Sequence, residues 1–354
     1  AYAGGAAVFA YDAHALVERE RVAFGSLWPS GAKEPRFIDQ GAIDLDGDGI
    51  EEWLVPAPTG YELRTTEGLQ ARMPCHVVSE AERLSGGSMY ISHRLPAYET
   101  FEVEGQARKG LAFLSDEFAD FAFGEQWQER RRFKLPLNLE EKWDANSQMK
   151  DMDGDGFPDL LVTQTKGTVK LLAVTQLYIA EAPFAYPETP TATFESNGAI
   201  ASPVIIDVDD NGHRDIVLIS IPFGLKNMVN FFVRGKVAAD AEVYLCHGKT
   251  FDTEPAYRTS LTMDAPEGRE RVAYAMGDFS GDGRVDVAYG KADDVLVVHT
   301  GEPDRFVSRR PWAEVELFGF GIARAHDLDG NAAEDIVLFH PGGKNGKRVD
   351  LIVF

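Results

Sequence analysis

The sequence predicts an all-β chain: a β-propeller of six four-stranded blades, with seven as the alternative, forming a single domain over residues 1–354. Three observations predict it. An acidic loop motif recurs at the spacing of a small antiparallel sheet. Each full copy runs into a short stretch of Leu, Ile, Val and aromatic residues. A second signature follows, in which a strand, a polar turn, a phenylalanine and a proline recur in that order.

The acidic motif has nine positions, with side-chain oxygens at 1, 3, 5 and 9. The first copy is Asp44-Leu45-Asp46-Gly47-Asp48-Gly49-Ile50-Glu51-Glu52, and the second runs from Asp151 through Asp153 and Asp155 to Asp159. The third uses Asp207, Asp209, Asn211 and Asp215, the fourth Asp278, Ser280, Asp282 and Asp286, and the fifth Asp327, Asp329, Asn331 and Asp335. An eroded copy, Glu102-Val103-Glu104-Gly105-Gln106, leads to Gly110 where the others carry a carboxylate. The six starts lie 58, 49, 56, 71 and 49 residues apart, about one four-stranded sheet each.

Oxygen-rich loops of this kind suit a hard cation. Calcium takes six to eight oxygens from carboxylates, amides, backbone carbonyls and water. The candidate ligands are the oxygens at positions 1, 3, 5 and 9, with the position-7 backbone carbonyls of Ile50, Phe157, His213, Arg284 and Ala333, giving up to five Ca2+ sites. Glycines at position 6 (Gly49, Gly156, Gly212, Gly283) admit the positive φ such a loop demands, whereas the fifth loop has Ala332 there. The ring of His213 is expected to be exposed, and the eroded copy to bind nothing. The competing reading is a set of acidic turns without ions, since Asp, Asn and Gly favour turns by themselves; regular recurrence argues for the ion.

The first half of the motif is like an EF-hand, but an EF-hand needs a bidentate Glu at position 12, on a helix. Position 12 is instead Val55, Val162, Leu218, Tyr289 or Leu338. The runs Trp53-Leu54-Val55, Leu160-Leu161-Val162, Ile216-Val217-Leu218-Ile219 and Ile336-Val337-Leu338-Phe339 read as buried strands. The loop therefore joins strand to strand. Before it comes a strand of small and apolar residues, as in Ala201-Ser202-Pro203-Val204-Ile205-Ile206. The second signature follows as Leu177-Tyr178 with Phe184 and Pro187, Val243-Tyr244 with Phe251 and Pro255, and Val297-Val298 with Phe306 and Pro311.

The Asp-x-Asp-x-Asp-Gly-x-x-Asp loop with its following Leu/Ile-Val strand resembles the FG-GAP/VCBS repeat of integrin α-chain propellers and related bacterial secreted proteins. The resemblance covers about residues 35–354, although the FG-GAP signature itself is absent. It implies loops that bind calcium and a propeller serving recognition, adhesion or scaffolding. It also implies two alternatives on the same fold, a carbohydrate-binding lectin and a polysaccharide-active enzyme of lyase type. The expected location is secreted, periplasmic or at the cell surface, and the expected partner a protein or glycan, with a larger surface assembly as one setting.

Two strands, Asp335–His340 and Arg348–Phe354, follow the last loop, so the ring is expected to close by pairing with an amino-terminal strand, Ala7–Tyr11 or Ala15–Phe24. Leu225, Met228, Val229 and Phe232 recur at helical spacing before Gly235, predicting one short inserted helix near 224–235. It is too short to persist without packing, on its own blade or on a partner.

Charge and composition narrow the function. With 57 acidic and 35 basic side chains the formal charge is −22 and the pI about 4.7, which argues against general affinity for nucleic acid or anionic membrane. An apolar content of 44% and 11% aromatic residues supply a packed core. No apolar run approaches the roughly 20 residues of a membrane span. No Gly-x-Ser-x-Gly, His-Glu-x-x-His or phosphate-loop pattern occurs, and the eight histidines are scattered. The basic run Arg130-Arg131-Arg132 with Lys134 reads as guarding an outer strand, or as binding an anionic partner. Sugar-stacking candidates are Trp127 and Trp312. Cys75 and Cys246, each followed by a histidine, are read as a disulfide or as two buried thiols, and as a metal cluster with His76 and His247 only if the fold joins them. The first residues, Ala1 to Ala7, carry neither the charged nor the apolar region of a signal peptide; they read as a mature end left by cleavage or as an arbitrary boundary.

Overall fold

In the computed structural model every acidic repeat joins the first two strands of one antiparallel blade. The structure describes residues 5–12, 15–23, 41–83, 89–137, 143–167, 172–197, 199–200, 203–221, 230, 233–265, 273–319, 321–340 and 348–354. Six blades form a propeller ring. Blade 1 is Ala42–Ile43, Glu52–Ala57, Gly60–Thr65 and Gly68–Pro74. Blade 2 is Ala97–Phe101, Gly110–Leu114, Phe118–Phe123 and Glu129–Lys134. Blade 3 is Asp144–Lys150, Asp159–Lys166, Leu172–Tyr178 and Ala192–Asn197.

Blade 4 opens with a split strand, Ala199–Ile200 and Val204–Ile206, both paired with Asp215–Ile221, and continues with Lys236–Tyr244 and Tyr257–Asp264. Blade 5 is Tyr274–Gly277, Asp286–Ala292, Val295–His299 and Ala313–Glu316. Blade 6 contributes three strands among the described residues, Ile322–His326, Asp335–Phe339 and Val349–Ile352.

The second strand of each blade shows why these sequences form sheets packed on both faces. Asp159–Lys166 is buried over its first six residues, and Gly110–Leu114 throughout. Successive side chains of a strand point to opposite faces, so Leu160 and Val162 pack toward blade 2 and Leu161 toward blade 4. Likewise Val287 and Tyr289 face blade 4, and Ala288 faces blade 6. The core is therefore divided into wedges between neighbouring blades. Five such clusters occupy the junctions 1/2, 2/3, 3/4, 4/5 and 5/6. The wedge at 2/3 is aromatic: Phe101, Phe121, Phe123, Phe157 and Phe184 meet with ring centroids 5.0 to 6.2 Å apart.

The phenylalanines of the second signature close the turn after the third strand. Phe306 is buried, and Phe251 packs edge-on against Phe194. The basic run lies on Glu129–Lys134, the outer strand of blade 2, where Arg132 pairs with Asp120 at 2.6 Å and Arg131 lies over Phe123. Cys75 and Cys246 are free thiols, one half-buried and one buried, in blades 1 and 4. Burial pushes both up to about 12, and with one thiol in blade 1 and the other in blade 4 they form no disulfide.

Two hairpins form two-stranded sheets of their own among the described residues. Gly5–Asp12 pairs with Ala15–Ala23, and Val78–Arg83 with Met89–Arg94. The expected helix falls mostly on residues outside the described set, including Leu225, Met228, Val229 and Phe232. Asn230, Val233 and Arg234 are helical, and Gly235 follows with φ 59°, the left-handed geometry of a helix end.

Candidate metal centres

Each acidic loop is shaped first by its own carboxylates. The position-1 carboxylate accepts backbone N–H groups from across the turn. Asp44 holds Gly47 at 2.7 Å and Gly49 at 3.1 Å, and Asp151 holds Gly154 at 2.9 Å and Gly156 at 3.0 Å. Asp207, Asp278 and Asp327 repeat this with Gly212, Gly283 and Ala332. Position 5 accepts the N–H of position 7: Asp48 from Ile50, Asp155 from Phe157, Asn211 from His213, Asp282 from Arg284, and Asn331 from Ala333. Position 6 has φ of 81° to 85° in the four glycine loops, and Ala332 takes φ 72° in the fifth.

Position 9 anchors the loop to the sheet. Asp159 is fully buried and accepts Met152 N–H from its loop and Ala180 N–H from the end of the third strand, both at 2.8 Å. Asp215 does the same with Val208 and Cys246, Asp286 with Ser280 and Gly301, and Asp335 with Leu328 and Phe354. In blade 1 the longer Glu52 reaches Leu45 at 3.0 Å. Burial raises Asp159 to about 7 and Asp215 to about 6, against the N–H bonds that pull them down, and shifts Glu52 and Asp286 the same way. At Asp44 the balance reverses. Burial lifts Asp44, but the N–H groups of Gly49, Gly47, Asp46 and Asp48 outweigh it and hold the carboxyl below its usual range.

Four loops bring three carboxylates into one cage. Asp44, Asp46 and Asp48 offer oxygens within 4.8 Å of one another, as do Asp151, Asp153 and Asp159; Asp207, Asp209 and Asp215; and Asp327, Asp329 and Asp335. Asp155 stands outside the Asp151 cage, and Glu52 outside the Asp44 cage. The Asp278 loop is not among these groups, because Ser280 replaces a carboxylate at position 3.

Position 3 also supplies the test of fit. Asp46 Oδ1 and Ser280 Oγ are buried oxygens without a hydrogen-bond partner, and the buried Asp153 Oδ2 meets the Lys249 ammonium at 3.0 Å. Oxygen acceptors left unsatisfied inside a periodic acidic loop match the donor set of a hard cation. At position 7 only the backbone matters, so the side chains diverge: Ile50 is 62% exposed, Phe157 is buried in the 2/3 wedge, and Arg284 is exposed. His213 corrects an expectation. Its ring is half-buried and its Nδ1 is shielded without a partner, because the neighbouring blades crowd the loop.

The loops touch one another around the ring. The position-8 N–H of one loop donates to the start of the preceding loop: Lys109 to the Leu45 carbonyl at 2.7 Å, Arg214 to Met152 at 3.2 Å, and Glu334 to Asp278 at 2.7 Å. Glu334 also accepts the Asp278 N–H at 2.9 Å through its carboxylate. Position 8 of the Asp151 loop is Pro158, which has no N–H. There the contact reverses, and Glu102 N–H donates to the Gly156 carbonyl at 2.7 Å. The eroded loop thus serves as a link. Three further participants, Arg108, Lys249 and Glu334, carry no signal in the sequence because each acts on a loop in another blade.

Elsewhere, Trp127 corrects another expectation. It is buried in the 1/2 wedge with φ 58° and lies under Arg108, so its face is not open to a sugar. Trp312 is half-exposed and packs against Phe354. A cavity of about 710 Å³ lies between blades 4 and 5, with Tyr289, His299, Lys291, Ser308 and Arg309 in its lining. Tyr289 and His299 stack at 5.7 Å, and Ser308 O accepts from His299 Nδ1 at 2.7 Å, leaving Nε2 as an acceptor.

Residues 151–218 match the model of the FG-GAP-like repeat family, a span from the first ligand of the Asp151 loop to the strand after the Asp207 loop. No curated protein sequence matches the chain.

Proposed function

We propose that this chain, whose residues 151–218 match the FG-GAP-like repeat family and whose blades form a propeller, is a calcium-stabilised, non-catalytic recognition, adhesion or scaffolding module working outside the cytoplasm. The observation that carries the calcium reading is the recurrence of three-carboxylate cages in periodic acidic loops, with the buried, partnerless Asp46 Oδ1 and Ser280 Oγ at position 3. Bound calcium would supply positive charge to Asp44, Asp46 and Asp48 and to their counterparts in the other loops. The chain's own residues do the rest: position 1 closes the turn, position 9 ties it to the third strand, and position 8 joins it to the next blade. A propeller face built from such loops is a rigid platform, which suits protein–protein recognition. Among the described residues no helix is long and apolar enough to cross a membrane.

The location is proposed together with the calcium reading, since calcium modules that work at 10⁻⁴–10⁻³ M belong to extracellular fluid. Ring closure is part of the same reading: an amino-terminal strand pairs with Val349–Ile352. Deleting residues 5–23 should then remove hydrogen-exchange protection from that strand.

The deciding experiment is thermal unfolding of metal-analysed protein with chelator and after re-addition of calcium. We expect a fall of many degrees and full recovery. A curve indifferent to chelator, on protein that began with bound calcium, sinks the reading.

The cavity between blades 4 and 5 favours a second reading, a glycan-binding module. The hydroxyls, the His299 acceptor and the Lys291 and Arg309 cations would meet a hydroxyl-rich ligand. A glycan array in which wild type binds and His299→Ala does not would support it; an array without hits would end it.

A further inference from the structure

Two of the acidic loops already hold a positive charge, and in both it comes from the next blade. Arg108, at position 7 of the eroded loop in blade 2, places Nη2 3.0 Å from Asp46 Oδ2 in the blade 1 loop. Lys249, in the turn after the third strand of blade 4, places Nζ 3.0 Å from Asp153 Oδ2 in the blade 3 loop. Both target position 3. The Asp153 side chain is only 2% exposed, so its neutralisation comes from within the protein. Among the described residues no lysine or arginine pairs with a carboxylate of the Asp207 or Asp327 loops. The Asp278 loop pairs its own Arg284 with Asp282 at 3.6 Å.

The two cations are held differently. Arg108 is fixed three ways, by Asp46, by the Glu125 carbonyl at 3.2 Å and by the ring of Trp127 at 5.9 Å. Lys249 is 59% exposed on a flexible stem, so it can swing into water. A divalent ion entering either loop meets a like charge a few ångströms away, and that repulsion grows with the ion's charge.

We propose that Arg108 and Lys249 are built-in competitors that divide the loops into two affinity classes. The inference rests on the calcium reading above. The Asp207 and Asp327 loops bind calcium most tightly. The Asp151 loop binds it by displacing Lys249, and the Asp44 loop, with its fixed guanidinium, binds most weakly. Over the range where calcium comes and goes, the loops of blades 1 and 3 stay closed on a protein cation, while blades 4 and 6 depend on the ion.

The test is calcium binding to the full chain by isothermal titration, with CaCl2 as the only probe. Wild type should titrate in two phases. Lys249→Gln should move one weak site to an affinity higher by about tenfold, and adding Asp153→Asn to that variant should abolish the gained site. Lys236→Gln removes the same charge from a half-exposed lysine paired with Asp264, away from every acidic loop, and should leave the curve unchanged. Arg108→Gln should strengthen a different site; because Arg108 backs Trp127, Lys249 carries the decision if that variant does not fold. If Lys249→Gln and Lys236→Gln give the same curve as wild type, the competitor role is wrong and the calcium reading stands. If no calcium binds to any of these chains, both fall.

Discussion

Ala332 occupies φ 72° where four sister loops have glycine, a conformation that costs an L-residue with a Cβ roughly 1 kcal/mol or more. Asp327 holds its N–H at 3.2 Å, so the loop keeps the shape in spite of the strain. Ala332→Gly should therefore raise stability by about 0.5–1 kcal/mol in denaturant unfolding, and a loss would mean that Ala332 is favoured by contacts rather than tolerated. The position-9 acids give a second test at this scale. Asp159 and Asp215 are raised by burial to about 7 and about 6, above their unfolded range near 4. In the metal-free chain the native state then holds more protons than the unfolded one between those values. Stability is fully present below about pH 4 and is lost as pH rises through 6 to 7. Calcium reverses the preference, because it binds the ionised form. The melting temperature in chelator should fall from pH 5 to pH 8, while saturating calcium should flatten or invert the slope; a chelated protein that grows more stable over that interval contradicts the burial of these groups.

At the scale of the element, the loop and the wedge beneath it are one unit. Phe157 offers its carbonyl at position 7 and its ring to the 2/3 wedge, where it meets Phe101 at 5.2 Å and Phe121 at 5.6 Å. Truncating Phe121, 1% exposed, to alanine should cost about 3–5 kcal/mol in denaturant unfolding. A cost below about 1 kcal/mol would mean that the wedge collapses around the gap. The periodic parts of this unit are legible in the sequence, because the acidic loop and the strand after it repeat with fixed internal spacing. Asp159, Asp215 and Asp335 read as candidate ligands for that reason, though not as the anchors that tie the loop to the third strand. What crosses between blades was not legible. Arg108 and Asp46 are 62 residues apart, Glu334 and Asp278 are 56, and no local pattern marks either pair. Trp127 misled for a related reason: composition shows an aromatic ring, while only the packing of blades 1 and 2 shows that both its faces are covered. Counting carboxylates also makes the Asp44 and Asp151 loops the richest, yet these are the two that receive a cation from a neighbouring blade.

At the scale of the molecule, the formal charge of −22 is concentrated in part on one set of loops, all at the same end of their blades. Each loop lies between the first and second strands, and several hydrogen-bond to the next, so like charges recur around the ring within reach of one another. Five divalent ions would bring the charge to about −12 and would cancel it where it is densest. Self-repulsion of this kind destabilises a compact state and is screened by salt, with a Debye length of about 10 Å at 0.1 M. The metal-free protein should therefore melt at a rising temperature as sodium chloride goes from about 0.02 to 0.5 M. The calcium-loaded protein should show a much shallower dependence, since little unscreened repulsion remains within its loops. Magnesium at the same concentration should substitute poorly, because it demands a tighter octahedral shell than these wide loops provide. The measurement is a salt series of melting curves in chelator, in calcium and in magnesium. Parallel slopes in all three would mean that the charge of the loops is borne elsewhere in the fold, by fixed ion pairs such as Arg108 with Asp46, and that the ring does not need the ion to hold its loops together.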